Sequence, residues 1–333
     1  MLARTYCFFL VTVLSASLHG QLTTKKLEEI RIRDPFILAD PESQSYYMYA
    51  SMSGGVEEGH KGVQVYKSKD LQVWDGPAPV FIIPEGFWAD EMVWAPEVHK
   101  YKDRYYLFVT LTSDTRLKQL EGRPEIISRA SQVFVSDEPD GPFVALSNKP
   151  HTPPGWMSLD ATLWVEKGIP YMIFCHEWIQ TTDGTVELIR LRKDLSATRG
   201  RPQTLFTASR AGWVRSLGSV GALYRGEAFE GYVTDGPFLY ISKEGKLLMI
   251  WSSFGEGKYA IGLAESVTGR VRGPWEIMEE PLFRANGGHG MIFRDFNNNL
   301  MLVFHQPNDS PNERTKLFEL EDTGKTIKLK QPQ

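Results

Sequence analysis

Five stretches of this chain set an ionisable residue close to where a strand is expected to begin: Asp34 in RIRDPFIL, Glu97 in VWAPEVHK, Asp160 in MSLDATLWV, Asp235 in YVTDGPFLY and His289 in NGGHGMIF. They fall about one repeat apart along the chain. Carboxylates gathered in one place repel, so their proton affinities spread, and one can stay protonated as an acid while another is ionised as a base. Cleavage of a glycosidic bond needs that division: an acid for the leaving oxygen and a carboxylate on the opposite face of the sugar. A lone Asp before Pro reads as a turn residue. Recurrence at one place in successive repeats is what points to chemistry. Arg33 beside Asp34 would favour its ionised form. Phe36, Trp94 and Trp178 offer flat apolar faces for a sugar ring, and His176 could hydrogen-bond substrate. Glu97 sits in WAPE, which also suits packing between blades, so a binding or structural role is expected of it rather than catalysis.

The elements that must deliver these residues are visible as a repeat. Aromatic strands YYMYAS, YYLFVTL, PYMIFCHE, KLLMIWSS and NLMLVFHQ each follow a turn-rich stretch, DPESQS, KYKDR, EKGI, SKEG and DFNNN respectively. Most are followed by a further strand that ends in a charged turn, as in GVQVYKSKDLQVW. Short alternating strands with regular turn signals indicate an all-β chain rather than βαβ units. Five copies of a three- or four-stranded unit predict a five-bladed β-propeller, since radial repetition leaves only short, protected edges. A β-sandwich accounts for the strands but not for their fivefold recurrence. The first strand of each blade lines the central channel, so residues at its start converge on one mouth. No Ser- or Gly-rich linker divides the chain, and a single domain over residues 27–328 is expected.

Composition narrows the partners. The 333 residues are 42% hydrophobic and 23% charged, ordinary for a globular protein with a sizeable core. A net charge of −4 without a basic stripe argues against nucleic acid. Residues 1–20, MLARTYCFFLVTVLSASLHG, have the Arg, apolar run and small residues of a secretory signal, with cleavage expected near Ala16 or Gly20. That implies a secreted or periplasmic protein with no stable membrane span once the signal is removed. Cys7 lies within this signal and Cys175 stands alone, so the mature chain is expected to form no internal disulfide. No HExxH, EF-hand loop or Cys pair marks a metal site.

RDPF, WAPEVHKYKDRYYLF, SLDATLWV, DGPFLY, GGHGMIF and VFHQPN, in this order across nearly the whole mature chain, resemble glycoside hydrolase family 43. The resemblance implies a five-bladed propeller and an inverting mechanism. Position by position, it makes Asp34 the base, Asp160 the residue that tunes the acid, and blade four the source of the acid. It makes His289 a channel residue that contacts a calcium ion or an ordered water, so a structural calcium is the one cofactor it suggests. The expected substrate is an oligosaccharide or polysaccharide of plant origin, attacked in exo fashion at arabinofuranosyl, xylosyl or galactosyl-type linkages. One departure stands out: the family's EGP is TDGP here, and Asp235 is a methylene shorter than Glu. Asp235 therefore shares the expected acid role with Glu177 and Glu230. The same departure motivates the alternative of a catalytically impaired carbohydrate-binding propeller.

Overall fold

The computed structural model describes residues 23–52, 61–256 and 258–330; the expected signal lies outside them. Strands β1 (Thr23–Lys26), β2 (Phe36–Asp40), β3 (Ser45–Ser51), β4 (Gly62–Ser68) and β5 (Val73–Ile82) form the first sheet, in the order β1-β5-β4-β3-β2. The second sheet is β6 (Met92–Tyr101), β7 (Arg104–Arg116), β8 (Ile127–Ser136) and β9 (Val144–Ala145). The third is β10 (Ser158–Glu166), β11 (Ile169–His176), β12 (Thr185–Leu191) and β13 (Thr198–Thr207). The fourth is β14 (Asp235–Ile241), β15 (Leu247–Gly255), β16 (Lys258–Ser266) and β17 (Trp275–Ile277). The fifth is β18 (Gly288–Arg294), β19 (Leu300–Gln306), β20 (Arg314–Asp322) and β21 (Ile327–Leu329). Four consecutive strands of each sheet form an antiparallel meander, with β1 added beside β5 at the outer edge of the first, and β2, β6, β10, β14 and β18 pack in succession around a ring that closes from β18 back to β2. The fold is the expected five-bladed propeller in one domain. Its one α-helix among the described residues, α1, is the single turn Trp178–Thr181, and no helix is long and apolar enough to cross a membrane.

The second strand of each blade is buried on both faces because blades stack on either side of it. Tyr46 to Ala50, Tyr105 to Leu111 and Leu247 to Trp251 accordingly read as near-continuous buried runs. Among the described residues no strand is exchanged between blades one and five to lock the ring. Instead Met291, Phe293 and Val303 of blade five join the core of blade one. Phe296 donates its amide to the Tyr46 hydroxyl at 2.8 Å, and Arg31 and Arg33 both reach the buried carboxylate of Glu313, at 3.4 and 3.5 Å.

Every inner strand breaks in the same way. Register with the second strand skips two residues between Trp94 and Glu97, Leu159 and Thr162, Asp235 and Phe238, and Gly288 and Met291. In blade one the break falls just before β2, at Asp34 and Pro35. The first residue of each break has positive φ: Asp34 53°, Ala95 44°, Asp160 56°, Gly236 49° and His289 52°. A bulge of this kind re-aims the side chain it carries. The equivalent positions are thus Asp34, Ala95, Asp160, Gly236 and His289. Glu97 lies two residues beyond its bulge and Asp235 one before, which corrects the alignment of blades expected from sequence.

Candidate active site

The bulges turn Asp34, Asp160 and His289 towards the propeller axis. Nδ1 of His289 lies 3.3 Å from Asp34 Oδ1 and 3.6 Å from Asp160 Oδ2. Three bulge amides are held by a side chain on the second strand of the preceding blade. Asp34 N–H donates to His305 Nδ1 at 3.2 Å, Asp160 N–H to Thr110 Oγ1 at 2.8 Å, and His289 N–H to Ser252 Oγ at 2.8 Å. In blade four Gly236 N–H instead donates to Asp160 Oδ2 at 3.1 Å. A Cβ on Gly236 would stand 2.8 Å from the His289 ring, so glycine lets that ring lie against blade four. Gly236→Ala should move the ring off both carboxylates and lower kcat/KM by about 10²-fold, as steady-state kinetics on the folded variant would show.

The charge state of Asp34 follows from its neighbours. Burial alone would raise its proton affinity, but the imidazoles of His289 and His305 and the guanidinium of Arg33 outweigh burial and hold the carboxyl below the usual carboxylate range. Asn308 Oδ1 lies 3.1 Å from His305 Nε2 and accepts its proton, which leaves Nδ1 as the acceptor of the Asp34 amide. Asp34 Oδ1 is buried, with His305 Nδ1 at 3.1 Å and His289 Nδ1 at 3.3 Å. Oδ2, 3.8 Å from Arg33 Nε, carries what exposure the carboxylate has and is the oxygen open to a bound reactant.

The other two carboxyls are pushed the opposite way. Asp160 is held well above its ordinary range by burial and by the charges of Asp235 and Asp34, against the pull of the Gly236 amide. Asp235 is raised to about 7, chiefly by burial, although the Tyr259 hydroxyl donates to its Oδ2 at 2.8 Å. Both line one cleft of about 690 Å³, together with Asp34, Glu177, Tyr259 and His289. Arg33, Trp94 and Trp178 line it too, as expected from sequence.

Four residues assigned to the site from sequence lie elsewhere. Phe36, beyond its bulge, points to the opposite mouth, where it meets the edge of His99 at 5.2 Å. Glu97 is buried and bonded to His99 Nε2 at 2.9 Å. His176 stacks on Trp156 at 4.1 Å and bonds to Gln180 Oε1 at 2.7 Å. Glu230 lines a separate depression with Arg215 and Tyr232, which removes it as a proton donor to the cleft.

Sequence reasoning assigned no role to Tyr259, Arg129, Glu313 or His305. Arg129 has a fully buried side chain. Its guanidinium sits over the Trp94 ring at 4.1 Å, Nε donates to Thr112 Oγ1 at 3.2 Å and Nη1 to Glu177 Oε2 at 2.5 Å. Burial raises the Glu177 carboxyl and Arg129 opposes it. Protonating Glu177 would strand the buried Arg129 charge, which favours Asp235 as the acid. Removing one partner of a buried pair costs more than removing both. Arg129→Met should therefore destabilise the fold by about 3 to 5 kcal/mol, and Arg129→Met with Glu177→Met should recover most of it, measured by denaturant unfolding.

Among the described residues no three His, Cys, Asp or Glu side chains converge as metal ligands. His289 offers one imidazole nitrogen beyond the one facing the carboxylates, whereas calcium takes six to eight oxygens. That donor set does not by itself form a calcium cage.

The model of glycosyl hydrolases family 43 matches residues 27–324. An endo-arabinase from Bacteroides thetaiotaomicron VPI-5482 shares the fold with a TM-score of 0.77 and 40% identity, over 90% of this chain and 98% of that one. A thermostable family-43 glycoside hydrolase aligns with a TM-score of 0.69 and 21% identity over 90% and 93% of the two chains. An α-L-arabinofuranosidase from Lactobacillus brevis aligns with a TM-score of 0.68 and 15% identity over 92% and 100%. Comparison with curated proteins gave no match.

Proposed function

The chain belongs to glycosyl hydrolases family 43, and from that premise we propose that it cleaves α-L-arabinofuranosyl linkages inside arabinan chains with inversion at the anomeric carbon. Asp34 acts as the base and Asp235 as the acid, while Asp160 shares the proton reserve with Asp235. The observation that carries this reading is that Asp34 and Asp235 line one cleft whose surroundings push their carboxyls in opposite directions. The Asp34 carboxylate takes a proton from water as the water oxygen attacks the anomeric carbon. The C–O bond to the leaving sugar breaks as Asp235 gives its proton to that oxygen. Asp160 and Asp235 are both held above the ordinary carboxylate range, so the pair retains a proton near neutrality.

The choice of arabinan, and of internal cleavage over the exo action expected from sequence, rests on the endo-arabinase that is 40% identical to this chain. Linear arabinan, xylan and galactan would be digested in parallel, with early products sized and the released anomer followed by NMR. Mixed-length arabino-oligosaccharides of inverted configuration are expected. Arabinose alone at early times would overturn internal cleavage, and a retained anomer would overturn the mechanism. Binding without release from any glycan would instead support the catalytically impaired reading. Export by the segment 1–20 is part of the proposal. N-terminal sequencing of chain recovered outside the producing cell should begin after Ala16 or Gly20.

A further inference from the structure

Between β13 and β14 the chain makes a long excursion, residues 208–234, that is anchored more firmly than a surface loop requires. Arg123 donates to the carbonyls of Ile179 at 3.1 Å, Glu230 at 2.7 Å and Trp178. Leu217 N–H donates to Gly231 O and Gly218 N–H to Phe229 O, both at 2.9 Å, tying the two arms of the excursion together. At its tip Tyr224 and Glu227 exchange two backbone hydrogen bonds of 2.8 and 3.1 Å around Arg225 and Gly226. Those two residues have φ of 51° and 85°, the pattern of the two-residue turn that matches hairpin twist.

This preorganised tip presents Leu223, 62% exposed, and Tyr224, whose ring meets Trp178 edge-on at 5.6 Å. Single exposed leucines are ordinary. Here Leu223, Tyr224, Trp178 and Phe254 line the cleft that holds Asp34 and Asp235, and Trp178, Tyr224 and Phe254 pack in one apolar cluster. Leu223 and Tyr224 belong to the segment that runs directly into Asp235. In an inverting hydrolase the acid faces the departing sugar.

We propose that Leu223 and Tyr224 form a distal subsite that takes the C–H faces of sugar units on the leaving-group side of the cleaved bond, setting a preference for long chains. The subsite rests on the arabinan reading above. Its test is calorimetric binding of arabinobiose and arabinohexaose to the full chain carrying Asp34→Asn, alone and with Leu223→Asp or Tyr224→Ala. Leu223 points into solvent, so its replacement leaves folding intact, which thermal melting would verify. Hexasaccharide affinity should fall by about tenfold in either variant while disaccharide affinity stays the same. In the active chain the same substitutions should shorten the leaving fragments in early digests. Unchanged hexasaccharide affinity, or an equal fall for both sugars, would overturn the subsite and leave the arabinan reading standing. Failure of both sugars to bind the Asp34→Asn chain would overturn both readings.

Discussion

Asp34→Asn should lower kcat on arabinan by about 10³- to 10⁴-fold while leaving the cleft able to hold substrate. Asn keeps the shape of Asp and tolerates the positive φ at this position, and its backbone amide still donates to His305 Nδ1. What it loses is the charge and basicity of the carboxylate that His289, His305 and Arg33 surround. Stability should change in a way that identifies the same group. The folded-state carboxyl lies below its ordinary range, so its ionised form contributes stability that is present at neutral pH and lost as pH falls through the acid range. The variant should therefore melt below the parent chain near neutrality, with the gap closing on acidification. Activity within tenfold of the parent would remove Asp34 from the role of base.

Asp160 carries the opposite linkage. Its folded-state carboxyl is raised, so the proton it holds stabilises the fold at low pH and that contribution is lost as pH rises. Asp160→Asn keeps an oxygen for the Gly236 amide and removes the buried acid. It should melt higher than the parent at neutral and alkaline pH while losing activity, a trade of stability for function that thermal scans at several pH values would reveal.

What could be read from sequence, and what could not, follows from how the strands are covered. Runs such as YYMYAS and KLLMIWSS were visible because second strands are buried on both faces, and their recurrence gave the fivefold ring. Asp34, Asp160 and His289 were legible because each sits at the first position of its bulge, where motif and geometry coincide. Glu97 and Asp235 were misplaced by one or two residues, because the register of a bulge is set by pairing with the neighbouring strand. A slip of one residue sends a side chain to the other face. Phe36 went wrong for the same reason, two positions past the break. Tyr259 and Arg129 reach the site from third strands, across the second strand, and no local pattern marks them. Glu230 differs from Glu177 only through the path of the 208–234 excursion, which sequence does not specify.

The strongest pH effect should come from Asp235. With its carboxyl raised to about 7, kcat/KM on arabinan should hold through the mildly acidic range and fall tenfold per pH unit once Asp235 loses its proton. Asp235→Asn should reduce the rate on arabinan by about 10³-fold and abolish that alkaline fall. A substrate whose aglycone departs without a proton, such as a dinitrophenyl arabinofuranoside, should lose far less in the same variant. Glu177→Gln should keep the alkaline fall, because Glu177 is tied to the buried Arg129 rather than free to deliver a proton. If instead the fall persisted in Asp235→Asn and vanished in Glu177→Gln, the acid would be Glu177, and Asp235 would be only its neighbour across the cleft. The Tyr259 bond weighs against that outcome: it fixes one oxygen of Asp235 and leaves the other to carry and deliver the proton. A short acid held this rigidly serves only if the leaving oxygen is brought to it, so Asp235→Glu should alter kcat more than KM.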